Sequence, residues 1–179
     1  MKKLFSFIII AALIVCIIQL VPKITEYFFP FGYNTAVEKA AEKWGVDRAL
    51  VYAVIKAESN FDAQTQSPRG AKGLMQLLDS TAEWCAGEMG LESYDLSDPE
   101  DNINIGVYYL SYLLNYYKGN EKTALSAYNA GHGNVDEWIS GGEYSKDGEN
   151  LDTIPFSETE KYIKKIEFYK KVYAWRLAS

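Results

Sequence analysis

The 179-residue chain has few of the residues that build metal sites and disulfide frameworks. It contains one histidine, His132, and two cysteines, Cys16 and Cys85, which are too few for a Cys/His zinc site and allow only one disulfide. Positive charge is also scarce, because 18 Lys and Arg stand against 24 Asp and Glu. A net charge of −6 argues against nucleic acid, whose binding depends on clustered positive charge. We therefore expect no metal, no cofactor and no nucleic-acid partner.

The sequence also lacks the composition of a disordered chain and the alternation of a β protein. Hydrophobic residues make up 48% of the chain and charged residues 23%, which is typical of a folded globular protein. No segment alternates polar and apolar residues at period two for long enough to require a sheet. We predict one mainly α domain.

Charge is absent from residues 4–21, which follow Lys2 and Lys3. Eighteen helical residues extend about 27 Å, just enough for a bilayer core of about 30 Å. The run ends without the small residues of a signal-peptidase site, and Cys16 follows a valine where lipid-modified cysteines usually follow a small residue. Residues 1–23 are therefore predicted to form a transmembrane anchor or an uncleaved signal segment.

The remaining chain is predicted to lie outside the cytoplasm. The two lysines before the apolar run orient the amino terminus inward, by the positive-inside rule. We interpret residues 24–33 as a tether and residues 34–179 as the main folded domain. The chain beyond residue 23 holds 15 basic and 24 acidic residues, a net charge of −9. This organisation predicts a single-pass protein of the cell membrane.

Helical periodicity and capping residues predict the elements of this domain. Asn34 and Asp47 are candidate N-caps, and Asp98 precedes a proline and two acids, which is a strong helix start. Ser157 and Glu160 form a candidate capping box. The predicted helices begin near Asn34, Asp47, Asp79, Asp98, Glu121, Val135 and Ser157.

Glu58 is the residue that does not fit its helix. It continues the apolar stripe of Val54 and Ile55, where burial would raise the pKa of a carboxyl group. It also lies in the last helical turn, where the helix dipole disfavours negative charge. Both effects favour a protonated carboxyl near neutral pH, as a general acid requires. The alternative is a helix-end glutamate that reaches solvent.

Five short blocks then follow one another in a specific order. They are Ala57–Asp62, Gly70–Leu77, Asn104–Leu110, Ala127–Gly131 and Ile154–Thr159. Over about residues 34–175 the chain resembles the lytic transglycosylase family of the soluble type, which is related to goose-type lysozyme. The resemblance implies a lysozyme-like helical domain that binds a peptidoglycan glycan strand in a groove.

The resemblance also implies roles for individual residues. Glu58 matches the catalytic acid, and Ser59 and Tyr162 match substrate-binding positions close to that acid. Met75 and Gln76 match positions on the groove floor. Tyr128 and Asn129 match the pair that surrounds the acid and the sugar N-acetyl group. Without the resemblance, Met75 would be interpreted as core packing, and Tyr128 and Asn129 as a helix end. Glu160 departs from the family, which usually has arginine there, so a basic contact at that end of the groove is in doubt.

A single acid agrees with the chemistry that the resemblance implies. Most glycosidases need two carboxylates, whereas in lytic transglycosylases the 6-hydroxyl of N-acetylmuramic acid attacks its own anomeric carbon and gives a 1,6-anhydro product. Two alternatives stay open: a goose-type lysozyme-like hydrolase, and a non-catalytic membrane-tethered wall-binding protein. The sequence also leaves open a partner in the cell envelope or a secretion machinery.

Overall fold

The computed structural model describes the backbone of residues 2–178 and the side chains of residues 6, 9, 10 and 13–178. Over this range the chain is helical, and the only β pairing is two isolated bridges around Lys72. The helices are α1 (Lys2–Phe28), α2 (Asn34–Trp44), α3 (Arg48–Glu58), α4 (Asp79–Met89), α5 (Pro99–Tyr116), α6 (Glu121–Ala130), α7 (His132–Ser140) and α8 (Ser157–Ala178). The prediction of a mainly α protein is confirmed.

The chain divides into two compact units, of which the first is Met1–Gly32. Its helix α1 continues through Pro22 to Phe28, so the first residues of the predicted tether are helical. Within the described part of the chain, no helix is both long enough and apolar enough to cross a membrane. The side chains of Lys2 and Lys3, on which the predicted orientation depends, lie outside the described ones.

The second unit, Tyr33–Ser179, contains the other seven helices of the described chain. Two predicted N-caps are confirmed, because Asp47 accepts a hydrogen bond from the backbone of Ala49 and Asp98 accepts from the first turn of α5. Gly45 ends α2 with a left-handed backbone at φ 68°, a conformation that costs glycine little. Local sequence signals thus fix most of the helix ends.

Helix α3 lies at the centre of this unit and packs against α2 and α8. We predicted one inward stripe, but every side chain from Ala49 to Ile55 is buried. The outer face is covered because α8 packs along it, with Tyr173 stacked on Tyr52 at 5.3 Å between ring centroids. Cys85 is also fully buried, as expected for a small apolar side chain in the core.

Two helix starts differ from the predictions. Asn34 is the first residue of α2 and does not cap it, because its side-chain oxygen accepts a hydrogen bond from the Tyr52 hydroxyl at 3.0 Å. Helix α7 begins at His132, three residues before the predicted Val135. Gly131 ends α6 and, with φ 90°, turns the chain directly into α7. His132, which precedes the predicted start of this helix, is therefore its first residue.

Helix α8 begins at Ser157, as predicted, but the Glu160 side chain does not bond to the backbone of Ser157 as a capping box requires. The Glu160 carboxylate accepts a hydrogen bond from Lys164 Nζ at 2.6 Å, one turn further along α8. Because both side chains are largely exposed, this ion pair contributes little to stability. The predicted capping box is thus replaced by a surface pair within the helix.

Candidate active site

A pocket of about 310 Å³ opens beside the carboxyl end of α3. Four of the predicted site residues line it, namely Glu58, Gln76, Tyr128 and Asn129. Glu58 is the only carboxylate among the lining residues, all of which belong to the described chain. The fold therefore assembles residues from α3, α6 and the loop before α4 around one acidic group.

Glu58 is the last residue of α3, and its side chain is half-buried at the edge of the pocket. Burial raises the pKa of its carboxyl group from 4.5 to about 7. The Tyr162 hydroxyl donates to Glu58 Oε1 at 2.6 Å, and this bond, together with the positive charge of Lys165, acts in the opposite direction and lowers the pKa. Burial outweighs both. A carboxyl group with a pKa about 7 has both protonation states available near neutral pH, as proton donation and acceptance require.

Helix α8 holds the end of α3 at two points, one turn apart. Tyr162 binds the Glu58 carboxyl, and Lys165 Nζ donates to the Ala57 carbonyl at 3.0 Å. That carbonyl belongs to the last turn of α3, where backbone acceptors have no partner within the helix. A cation at this end also opposes the negative pole of the helix dipole. Lys165 was not predicted, because 108 residues separate it from Ala57 in sequence.

Met75 lies behind the pocket wall and is fully buried. Its backbone N–H donates to Asn102 Oδ1 at 2.9 Å, and its carbonyl accepts from the Tyr128 hydroxyl at 2.8 Å. A Cβ built on Gly106 would lie 2.5 Å from Met75 Sδ, which is too close for a real contact. Only glycine therefore lets α5 approach this side chain so closely. The Met75 segment is thus fixed from α5 and α6 together. Asn102 was not predicted, although it lies only two residues before the Asn104–Leu110 block.

Ser59 and Gln76 also use their side chains to hold the backbone. The buried Ser59 hydroxyl donates to the Leu74 carbonyl at 2.9 Å. The Gln76 amide donates to the carbonyls of Thr65 and Gly73 at 2.9 and 2.8 Å. Gln76 also has a left-handed backbone, at φ 49°, which few non-glycine residues adopt. These contacts fix the turn that carries Gln76 into the pocket.

The predicted residues therefore divide between the pocket surface and its support. Ser59, Met75 and Tyr162 do not line the pocket but hold its walls or its acid. Asn129 lines the pocket, and its side-chain oxygen accepts from the Thr159 hydroxyl at 2.8 Å. The other lining residues were not predicted as site residues, and they include Arg69, Thr81 and Tyr109. Of these three, only Tyr109 lies in one of the five sequence blocks.

No metal site was found among the residues that the structure describes. They include no group of three or more His, Cys, Asp or Glu side chains arranged to hold a metal ion. The pocket lining itself presents carboxyl, phenol, amide and guanidinium groups.

The family model of the transglycosylase SLT domain matches residues 35–151, more than half of the chain. The chain belongs to this family. The soluble lytic murein transglycosylase of Escherichia coli (strain K12) is 33% identical to this SLT domain chain over 155 residues, which are 84% of the chain and 24% of the relative. The membrane-bound lytic murein transglycosylase F of Desulfosudis oleivorans is 42% identical over 109 residues, 58% of the chain and 23% of the relative.

Solved structures agree with this assignment. The crystal structure of the 70-kDa soluble lytic transglycosylase from Escherichia coli matches the chain with a TM-score of 0.77 and 32% identity, over 85% of this chain and 25% of that one. The predicted lysozyme-like transglycosylase fold of the SLT domain is thereby confirmed. The chain spans about a quarter of the length of these relatives.

Proposed function

We propose that the chain is a peptidoglycan lytic transglycosylase that cleaves the β-1,4 bond between N-acetylmuramic acid and N-acetylglucosamine. The observation that carries the proposal is the pocket with a single carboxyl group, Glu58, whose pKa lies about 7. The named relatives, which are lytic murein transglycosylases, support the same activity. A carboxyl group of this pKa serves as acid and as base within one turnover.

In the first step, the protonated Glu58 gives its proton to the glycosidic oxygen as the bond from that oxygen to the anomeric carbon breaks. N-acetylglucosamine leaves with a free hydroxyl. Glu58, now a carboxylate, takes the proton of the 6-hydroxyl of N-acetylmuramic acid while that oxygen bonds to the same anomeric carbon. The product is a 1,6-anhydro sugar, and Glu58 is protonated again. Intramolecular attack avoids the entropic cost of positioning a water molecule.

The absence of a second carboxylate from the lining supports this reaction over hydrolysis, since enzymes that use water generally place a base or nucleophile opposite the acid. Asp62, the nearest acid in sequence, is exposed in the loop after α3 and does not line the pocket.

The predicted substrate-binding residues take two roles in this proposal. Gln76, Tyr128 and Asn129 contact the sugars, because their side chains line the pocket. Ser59, Met75 and Tyr162 act from behind the surface: Tyr162 orients the acid, and the other two hold the pocket wall. Burial raises the pKa of the Tyr128 and Tyr162 hydroxyls well above 10, so both remain hydrogen-bond donors over the working pH range.

Digestion of purified peptidoglycan, followed by mass analysis of the soluble fragments, tests the reaction. The unmodified chain is expected to release fragments one water lighter than those of a hydrolase. Glu58→Gln should reduce release at least about 100-fold, since proton transfer is lost. Asp62→Asn is the matched control and should keep the activity. Products with only reducing ends would show a hydrolase, and unchanged lysis by Glu58→Gln would exclude Glu58 as the acid.

Residues 1–23 anchor the enzyme in the cell membrane in this proposal, with residues 24–33 as tether and the catalytic domain facing the cell wall. The uncharged run after two lysines supports it, as do the exposed apolar side chains of α1, such as Ile17 and Ile18 at 59% and 65% exposure. A membrane-bound relative points the same way. Extraction of membranes with alkaline carbonate tests the anchor: the full chain should stay in the pellet, and release of most of it to the supernatant would exclude a spanning helix.

A further inference from the structure

A second pocket, of about 290 Å³, lies next to the candidate active site. It is lined by Ser80, Thr81, Trp84, Tyr109, Tyr112 and His132. Thr81 and Tyr109 also line the pocket of Glu58, so the two cavities share part of their wall. None of the residues assigned a role in the proposed reaction belongs to this second pocket.

The indole of Trp84 is the largest side chain of this pocket, which we name the aromatic pocket. It is 39% exposed, which is unusual for a tryptophan packed among other rings. Tyr112 contacts it edge to face at 4.7 Å between ring centroids, and Tyr109 does so at 6.3 Å. The neighbouring rings therefore hold the indole in place while part of its surface stays open.

The chemistry of the rim restricts what this surface can bind. No Lys, Arg, Asp or Glu lines the aromatic pocket, so a charged peptide group would lose its hydration without gaining a counter-ion. Ser80, Thr81 and His132 instead supply hydroxyl and imidazole groups, which form hydrogen bonds. A pyranose ring has the matching properties, with C–H groups on its faces and hydroxyl and acetamido groups at its edge.

We propose that the aromatic pocket binds an additional sugar ring of the glycan strand, with one ring face stacked on Trp84. This inference rests on the proposed function, because the strand that is cut at Glu58 has sugar rings on both sides of the cleaved bond. The shared wall places the aromatic pocket where such a continuation can lie. Binding in the aromatic pocket gives the enzyme a preference for longer strands, because a short fragment leaves this pocket empty.

Glycan strands freed of their peptides and separated by length test the proposal with the full chain. For Trp84→Ala, kcat/KM should decrease about tenfold on long strands and less than twofold on the shortest strand that is cleaved. Trp84→Tyr, which keeps an aromatic surface, should recover most of the loss. Trp175→Ala is the matched control, because Trp175 is also exposed, at 48%, but lines neither pocket. Thermal unfolding of each variant checks that it is folded.

The outcomes separate this inference from the proposed function. Equal kcat/KM for Trp84→Ala and the unmodified chain at every strand length would overturn the proposal that the aromatic pocket binds a sugar ring, but it would leave the proposed activity intact. A loss that is the same at every length would also overturn it, because it would indicate damage to the fold. If the unmodified chain gives no 1,6-anhydro product, the proposed function fails. Quenching of tryptophan fluorescence by added strands then tests the pocket, and quenching that survives Trp84→Ala would exclude it.

Discussion

The raised pKa of Glu58 predicts that the candidate acid destabilises the folded chain at alkaline pH. In the unfolded chain the carboxyl group has its ordinary pKa of 4.5, and burial raises it to about 7 in the fold. Below pH 4.5 both states are protonated and no difference exists. As the pH rises towards 7, the unfolded chain ionises while the folded chain does not, so the free energy of unfolding decreases. Above pH 7 the decrease is complete.

Its magnitude follows from the two pKa values. The difference between 4.5 and about 7 corresponds to about 3 kcal/mol, at about 1.4 kcal/mol per pKa unit. This is an upper limit, because the carboxyl group borders the pocket and its solvent. Glu58→Gln removes the titration and keeps an oxygen that can accept from Tyr162. The variant should therefore gain up to about 3 kcal/mol over the unmodified chain between pH 4 and pH 8.

Chemical denaturation of both chains at pH 4 and pH 8 measures this gain. For a domain of this size, about 3 kcal/mol also corresponds to a rise in Tm of about 6–12 °C at pH 8. Glu137→Gln, which removes an exposed carboxylate outside the pocket, is the control and should have the same free energy of unfolding as the unmodified chain at each pH, to within about 0.5 kcal/mol. An equal effect of Glu58→Gln at both pH values would refute the reasoning, because Glu58 would then titrate as an ordinary surface carboxyl group.

Three further predictions concern the groups that support the pocket. Lys165→Met should raise the pKa of Glu58, so the alkaline limb of the pH profile of kcat/KM should move to higher pH; an unmoved limb would contradict the electrostatic role of the lysine. Asn102→Ala should lower the free energy of unfolding by about 2–4 kcal/mol in urea, since it leaves buried backbone groups such as the Met75 N–H without partners. Gly106→Ala should lower the free energy of unfolding by about 1–3 kcal/mol, because the new methyl group would collide with Met75. Combined with Met75→Ala, it should lower the free energy of unfolding by less than the sum of the two single substitutions.

Local signals in the sequence predicted most of the fold. Asp47 and Asp98 cap their helices because a short acidic side chain directly before a helix binds the free N–H groups of its first turn. Asn34 has the same local signal but binds Tyr52 instead, a partner 18 residues away that only the tertiary fold brings close. The start of α7 was predicted three residues too late, at Val135, for a local reason, since Gly131 can end one helix and begin the next.

The candidate site was predictable where one residue conflicts with its surroundings. Glu58 interrupts an apolar stripe, and that conflict is visible without a structure. Tyr162 and Lys165 carry no comparable signal, because a tyrosine and a lysine on an amphipathic helix are ordinary. Their contacts with the end of α3 span more than 100 residues of sequence. The resemblance to a family indicated Tyr162, whereas Lys165 became apparent only from the packing of α8 on α3.

Helix α3 carries the candidate acid on its last residue and is buried along most of its length. A helix enclosed on all sides cannot shift or rotate without disturbing the packing of its neighbours, so the acid stays where the fold puts it. In the proposed reaction it is therefore the glycan that adjusts its position to Glu58, and amide hydrogens in the middle of α3 should exchange only through global unfolding. The proposed enzyme would gain its precision from a static core and leave movement to its polymeric substrate.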